Sequence, residues 1–477
     1  MLFSSIVFIC FFLPIVLIGN YALSFSRTAQ NVLLLIASLF FYAWGEPVYV
    51  LIMIFSILLN YCFSLLVDKF DGQKQKQKTV VVISVIANLG ILFVFKYAGF
   101  VVRNLNLLFG ENLIPEPQLA LPIGISFFTF QALSYVIDVY RKDAPVEKNP
   151  FYLGLYISFF PQLIAGPIVR YTTVADQIRN RKMNWNKFCA GSSRFVMGFC
   201  KKILLANNFA TIADYVFKIN YAGESMPVLL AWLGGIAYTL QIFFDFSAYS
   251  DMAIGLGLMF GFKFEENFNY PYISKSVTEF WRRWHISLTT WFHEYVYFPL
   301  GGSRVKNQDK IVRNMFIVWL LTGIWHGAEW TFILWGMWNF VFIFIEKITE
   351  FELNKVPGWI KHIYLLFVTV IGWVLFRAEN LGLALDYLKN MFGMTGSGLL
   401  SSQALMFVRE YWIYWLFGIL FCTPFAKQLE KQMVDAKSRI PSILGTIVYP
   451  VGLMLLFVIS FSCLVRGSYN PFIYFNF

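Results

Sequence analysis

Apolar runs of membrane-spanning length recur along this chain from residue 2 to residue 466, and no polar block between them is long enough for a soluble domain. A helix rises about 1.5 Å per residue, so roughly 20 apolar residues carry it across the hydrocarbon core of a bilayer. The runs fall at 2–24, 29–45, 47–67, 79–108, 121–140, 151–169, 190–218, 226–262, 313–326, 328–347, 362–378, 410–426 and 443–466. The chain is 58% hydrophobic and 14% charged, whereas a soluble chain averages about 45–50% and about 25%. The expected fold class is therefore an all-α polytopic integral membrane protein, with residues 1–477 forming one membrane-embedded domain.

Several runs do not suit a single straight span. Residues 151–169 are broken by Pro161 and Pro167, and 226–262 is interrupted by Asp245 and Asp251. About eleven true crossings are expected on length grounds, with re-entrant or half-length helices besides. Broken helices at membrane depth survive where protein or a water-filled cavity covers the freed backbone groups. The first run, "MLFSSIVFICFFLPIVLIGNYAL", has no basic leader and no clear small-residue cleavage site. It reads as a retained first span.

The net charge is +11. Its lysines and arginines sit in short loops between apolar runs, which is the pattern of topogenic charge and argues against nucleic acid as a partner. The loop 68–78 carries Lys69, Lys74, Lys76 and Lys78 and is placed in the cytoplasm. Counting back through the preceding spans puts the N-terminus outside, and counting forward brings the basic loop 141–148 inside. The basic loop 179–187 is placed inside as well. The six cysteines form no CxxC pair and no zinc-finger set with histidine, so they read as small buried apolar side chains. Four dispersed histidines predict no metal site, and the chain has no P-loop, GxSxG elbow or HExxH motif.

Against this background residues 280–302, "FWRRWHISLTTWFHEYVYFPLGG", are unusual for their adjacent arginines and two of the four histidines. Placed on one helix, 278–295 puts Trp281, Trp284, His285, Leu288, Phe292 and Tyr295 on a single stripe. Glu279, Arg283, Ser287, Thr290 and Glu294 fall opposite, with Glu279 and Arg283 spaced to pair. Tryptophan, tyrosine and arginine, here including Arg282, are ordinary at a membrane interface. A histidine centred among tryptophans is not accounted for that way.

A second embedded histidine, His326, lies in "LLTGIWHGAEWTFILWG" (320–336). Ionisable groups at membrane depth are costly and generally face an interior or a cavity. Gly323 and Gly327 would let a substrate approach, Trp325 and Trp330 would wall the site, and Thr322 or Glu329 would reach the ring along a helix. A neutral imidazole there can serve as a general base, or it can simply bond helix to helix. His293, beside Glu294, is expected near a membrane surface, and His362, after Lys361, at an interface. Asp245, Ser247, Ser250, Asp251, Gln162, Arg170 and Arg377 are further embedded polar residues, read together as a polar network lining a passage.

The motifs "FFPQLIAGPIVRY" (159–171), "NFNYPYISKSVTEFWRRWHISLTTWF" (267–292), "YFPLGGSR" (297–304) and "LTGIWHGAEWTFILWG" (321–336) resemble the membrane-bound O-acyltransferase family in content, order and spacing. "LFRAEN" (375–380) and the closing "NPFIYFNF" (470–477) resemble its bacterial branch of alginate, peptidoglycan and other polysaccharide O-acetyltransferases. The D-alanyl transfer protein of teichoic acid modification is a nearby relative.

The resemblance implies a funnel-like multi-pass enzyme of the bacterial cytoplasmic (inner) membrane that moves an acyl group, here expected to be acetyl. The family's near-invariant histidine corresponds to His326. Its second motif residue, histidine or asparagine in many relatives, corresponds to His285. Trp325, Trp284, Trp281, Arg282, Arg283, Glu329, Asp245 and Gln162 are candidate residues around substrate or tunnel. His293-Glu294-Tyr295 stands where close relatives often carry arginine–aspartate–tyrosine, so the acid is kept in kind and the arginine is lost. The resemblance further implies an acyl thioester donor, acetyl-CoA or an acyl-carrier protein, with no bound cofactor. It also implies an extracytoplasmic SGNH-type acetyltransferase partner and a polysaccharide acceptor. A histidine that carries the acyl group covalently, D-alanyl transfer, and a transporter or flippase without chemistry remain alternatives at this point.

Overall fold

A computed structural model describes residues 1–110, 113–164, 166–304, 307–428, 447–467 and 469–473. Among them every regular element is helical. Among the described residues five helices are long and apolar enough to cross a membrane: Val50–Lys69, Lys74–Phe109, Val228–Met259, Trp330–Ile348 and Gly358–Arg377. Ser402–Glu410 and Trp412–Phe421, bent by 67° at their junction, make a sixth if taken as one span. Phe8–Ala22, Arg27–Ala43 and Tyr449–Val465 are apolar but shorter. Outward-facing side chains agree with a lipid environment. Phe11, Ile15 and Ile18 are exposed at helical spacing, as are Val451, Met454, Leu455 and Val458.

Helix starts follow local capping chemistry. Ser26 accepts from the Ala29 N–H, Asn149 from Phe151, Asn307 from Asp309 and Asn380 from Leu383. Each such cap contributes about 1 kcal/mol. The interruption expected in 151–169 is present: Pro150–Ser158 ends before Pro161, Phe160–Leu163 adds one turn, and the backbone around Pro167 is not helical. Of the run expected at 443–466, residues 443–446 lie outside the described residues, as do the last four of 470–477.

One expectation is overturned here. Residues 228–259 are not broken at Asp245 or Asp251 but form one helix of 32 residues. The carboxylates do not disrupt it because each has a cation beside it. Lys202 Nζ lies 2.7 Å from Asp245, and Arg194 lies 2.9 Å from Asp251. A buried charge that is paired need not unwind a helix to find a partner.

The chain divides into two compact units, Met1–Phe195 with Tyr249–Glu265, and Val196–Ala248 with Glu266–Phe477. In the first, Val50–Lys69 and Lys74–Leu92 pack on Ile125–Arg141, and Arg27–Ala43 packs on Pro150–Ser158. Gly191 and Gly255 meet backbone to backbone; a Cβ on Gly191 would lie 2.5 Å from the Gly255 carbonyl oxygen. Small residues permit that approach, a common device between membrane helices.

In the second unit, Gln308–His326 packs along Trp330–Ile348, which packs in turn on Gly358–Arg377. The short helix Val277–Arg283 lies against Trp330–Ile348 and Gly358–Arg377. Its start is held by the buried Glu346 carboxylate, which accepts from Val277 N (2.5 Å), Thr278 N (2.9 Å) and Thr278 Oγ1 (2.7 Å). One turn on, the Trp281 indole N–H donates to Asn339 Oδ1 at 2.9 Å. These contacts fix the helix that leads into His285.

Candidate active site

The continuous helix expected over 278–295 is not formed. Val277–Arg283 ends, Trp284 is extended, His285 turns left-handed (φ 46°, ψ 53°), and a new helix runs Ile286–Phe292. The single stripe drawn through Trp281, Trp284 and His285 therefore does not exist as such. The physical reason is a crossing segment, residues 267–269, that takes over the hydrogen bonds at the break. Asn269 N–H donates to the Arg283 carbonyl (2.9 Å), and Ile286 N–H donates to the Asn267 carbonyl (3.0 Å). The Asn267 side chain then accepts from Ser287 N–H (3.1 Å) and Ser287 Oγ (2.9 Å). Both orphaned helix ends are thus satisfied by one strand of chain.

The break leaves His285 1% exposed. Its ring meets Phe246 edge-to-face at 4.6 Å, and its Nδ1 lies 3.2 Å from Asn267 Oδ1. His285 lies in the connection between two short helices, outside the spanning ones. Burial pushes its imidazole down from 6.5 to about 3, because desolvation disfavours the charged ring. It is neutral at ordinary pH.

His326 is the last residue of Gln308–His326, and Gly327 continues as extended chain. Its ring sits in an aromatic box, 4.9 Å from Trp325, 4.9 Å from Trp335 and 5.1 Å from Phe376, each edge-to-face. Trp325 joins the two histidines, since its indole also lies 6.4 Å from the His285 ring. The structure thus brings His285, His326 and Trp325 together in one buried aromatic region. Trp284 and Trp281 extend it. Trp284 lies 4.9 Å from Trp373, and Trp281 lies 5.5 Å from Trp335.

Other expectations fare differently. A Cβ on Gly327 would strike the Phe332 ring at 2.1 Å, and one on Gly323 would strike the Phe332 carbonyl oxygen at 2.6 Å. The two glycines admit the neighbouring helix, so they do not open a path for substrate. Glu329 stands at the N-cap position of the next helix and is not on the helix of His326, so the two do not share one helical face as expected. Thr322 is on that helix, but its hydroxyl donates to the Val318 carbonyl at 2.7 Å. Trp330 is exposed.

Glu279 and Arg283 form the expected pair at 2.9 Å, and the exposed Arg282 approaches Glu352 at 3.5 Å. His293 is exposed, and His362 lies 3.0 Å from the Ser274 carbonyl through Nδ1. Gln162, in the first unit, is buried and donates to the Tyr156 carbonyl at 2.5 Å. In the second unit Asp245 is held by Lys202 and by the Ile473 N–H (3.0 Å), and Arg377 pairs with Asp214. The cations Lys202 and Arg194 and the carboxylate Asp214 were not foreseen, because their partners lie on other helices.

Two imidazoles, at least one of them held neutral, beside stacked indoles make an apolar site able to take a proton from a hydroxyl. Known proteins of matching sequence fit that chemistry. The sequence profile of the membrane-bound O-acyltransferase family matches residues 36–381. The probable alginate O-acetylase AlgI of Pseudomonas putida is 40% identical over the whole of both chains. Its counterpart from Pseudomonas aeruginosa is 39% identical, again over both whole chains. A peptidoglycan O-acetyltransferase of Helicobacter pylori is 34% identical over all of this chain and 98% of its own. Buried histidines within a helical, lipid-facing scaffold and full-length likeness to O-acetylating proteins lead to one conclusion: this chain belongs to the membrane-bound O-acyltransferase family and is an O-acyltransferase.

Proposed function

We propose that the protein transfers an acetyl group from a cytoplasmic thioester donor, acetyl-CoA or an acyl-carrier protein, across the bacterial inner membrane for O-acetylation of a cell-envelope or extracellular polysaccharide. The proximity of His285 and His326 about the shared Trp325 ring carries this reading. His326 acts as general base. Its imidazole takes the proton of the accepting hydroxyl as that oxygen bonds to the acyl carbon. The carbon–sulfur bond then breaks, and the leaving sulfur receives the proton from the imidazolium. His285 orients a reactant beside it.

In this reading residues 1–477 are one membrane-embedded catalytic domain, with about eleven crossings around a funnel, sized on helix length. The N-terminus is extracytoplasmic, following the basic loops. The partner that receives the acetyl group is an extracytoplasmic SGNH-type acetyltransferase, which delivers it to the polymer. Full-length likeness to two kinds of O-acetylating relatives supports acetyl over D-alanyl transfer.

Purified protein in proteoliposomes, given acetyl-CoA labelled in the acetyl group, tests the proposal. Loss of the thioester with label appearing on a hydroxyl acceptor is expected. Movement of intact acetyl-CoA without thioester loss would show a transporter instead.

A further inference from the structure

Asn267 is fully buried, and three polar groups converge on its Oδ1: Ser287 N–H at 3.1 Å, Ser287 Oγ at 2.9 Å and His285 Nδ1 at 3.2 Å. A backbone N–H can only donate, so the amide must present its oxygen, and not its nitrogen, at this point. That oxygen carries no hydrogen. Contact between it and Nδ1 therefore requires the hydrogen to be on Nδ1. A neutral imidazole has one N–H, so the ring's lone pair is on Nε2.

We propose that Asn267 is a positioning residue that fixes His285 in the Nδ1–H tautomer and so makes Nε2 a hydrogen-bond acceptor. This rests on the reading of His285 as part of the acyl-transfer site and sharpens it. With its lone pair on Nε2, the neutral ring accepts from a hydroxyl. It does not donate to a developing oxyanion.

A purely structural cap for Ile286–Phe292 explains the arrangement less well. The ordinary solution is serine, threonine, aspartate or asparagine at the cap position itself. Here the cap position is a histidine held at φ 46°, a conformation that costs energy for a side-chain-bearing residue. The capping oxygen arrives from 18 residues upstream. Asn267 Nδ2 is buried without a hydrogen-bond partner among the described residues, a further expense that a cap alone does not require.

The test is nitrogen NMR of the full-length protein in lipid nanodiscs, labelled with 15N only at histidine. The chain has four histidines, and the His285 signals are identified by their loss in His285→Asn. The expected result is a protonated Nδ1 and an unprotonated Nε2 in the wild type. Asn267→Asp keeps that pattern, whereas Asn267→Leu mixes the two tautomers or reverses them. In turnover, Asn267→Leu lowers kcat by about a hundredfold, the scale of a general acid–base group, with little change in donor KM. Asn267→Asp recovers most of that loss.

A wild-type His285 protonated on Nε2 overturns the proposal whether or not any variant folds. An unchanged tautomer in folded Asn267→Leu overturns it too. Because the tautomer is read without turnover, these outcomes are separate from any failure of the acyltransferase reading. That failure would show as no thioester loss by the wild-type protein in the proteoliposome assay.

Discussion

The indole of Trp325 lies 4.9 Å from the ring of His326, and the same indole reaches the ring of His285 at 6.4 Å. His326 ends a long helix, whereas His285 immediately precedes a short one. Trp325 is thus the side chain through which two separately built elements hold two imidazoles at a common site.

Trp325→Ala is expected to destabilise the protein by about 3–5 kcal/mol, the usual cost of removing a buried tryptophan. It should also lower acyl transfer in whatever fraction remains folded, because both rings lose a wall. Trp325→Phe keeps an aromatic face and should retain most of the stability. Thermal unfolding in detergent and turnover per folded molecule separate the two effects.

Glu346 fastens the start of Val277–Arg283 through two backbone N–H groups and the Thr278 hydroxyl. Glu346→Ala leaves those donors buried and is expected to cost about 1–3 kcal/mol for each donor that water cannot reach. The helix it releases leads directly to His285, so activity should fall together with the unfolding temperature. Turnover at the wild-type level in a clearly destabilised Glu346→Ala would separate this anchor from the site.

The Lys202–Asp245 pair is buried on both sides, at 3% and 2% side-chain exposure. Lys202→Met strands a carboxylate and is expected to destabilise by about 3–5 kcal/mol, whereas replacing both partners with apolar or neutral groups costs much less. A double-mutant cycle of Lys202→Met with Asp245→Asn checks this; equal losses in the single and double variants would agree with it poorly.

Stability should also depend on pH through His285. Burial lowers its folded pKa from 6.5 to about 3. As pH falls through about 6.5 the unfolded chain takes up a proton that the folded chain refuses, so stability present above that pH is lost below it, by up to about 1.4 kcal/mol per pH unit. Wild type should therefore lose unfolding temperature more steeply than His285→Asn between about pH 7 and about pH 5.

Much of the scaffold was legible because length and apolarity are direct properties of sequence. The long apolar helices such as Val50–Lys69 and Gly358–Arg377, the break at Pro161 and the Glu279–Arg283 pair needed only local spacing. The break at His285 was not legible: residues 278–295 contain no glycine or proline, and their apolar period runs straight through it. What ends the first helix is Asn267 and Asn269, brought in by tertiary structure. Gly323 and Gly327 were misread for a similar reason. A glycine marks close approach, and sequence alone does not say whether a substrate or Phe332 approaches. The embedded charges include the pairs Lys202–Asp245, Arg194–Asp251 and Arg377–Asp214, whose partners lie far apart in sequence.

The most direct test of the account is polymer O-acetylation in cells that carry His326→Ala as their sole copy, with membrane levels of the variant matched to wild type. A base that acts in the bond-forming step contributes about a hundredfold or more, so acetylation should fall to near background. Wild-type acetylation by a correctly inserted His326→Ala protein would contradict the assignment of His326 as the base.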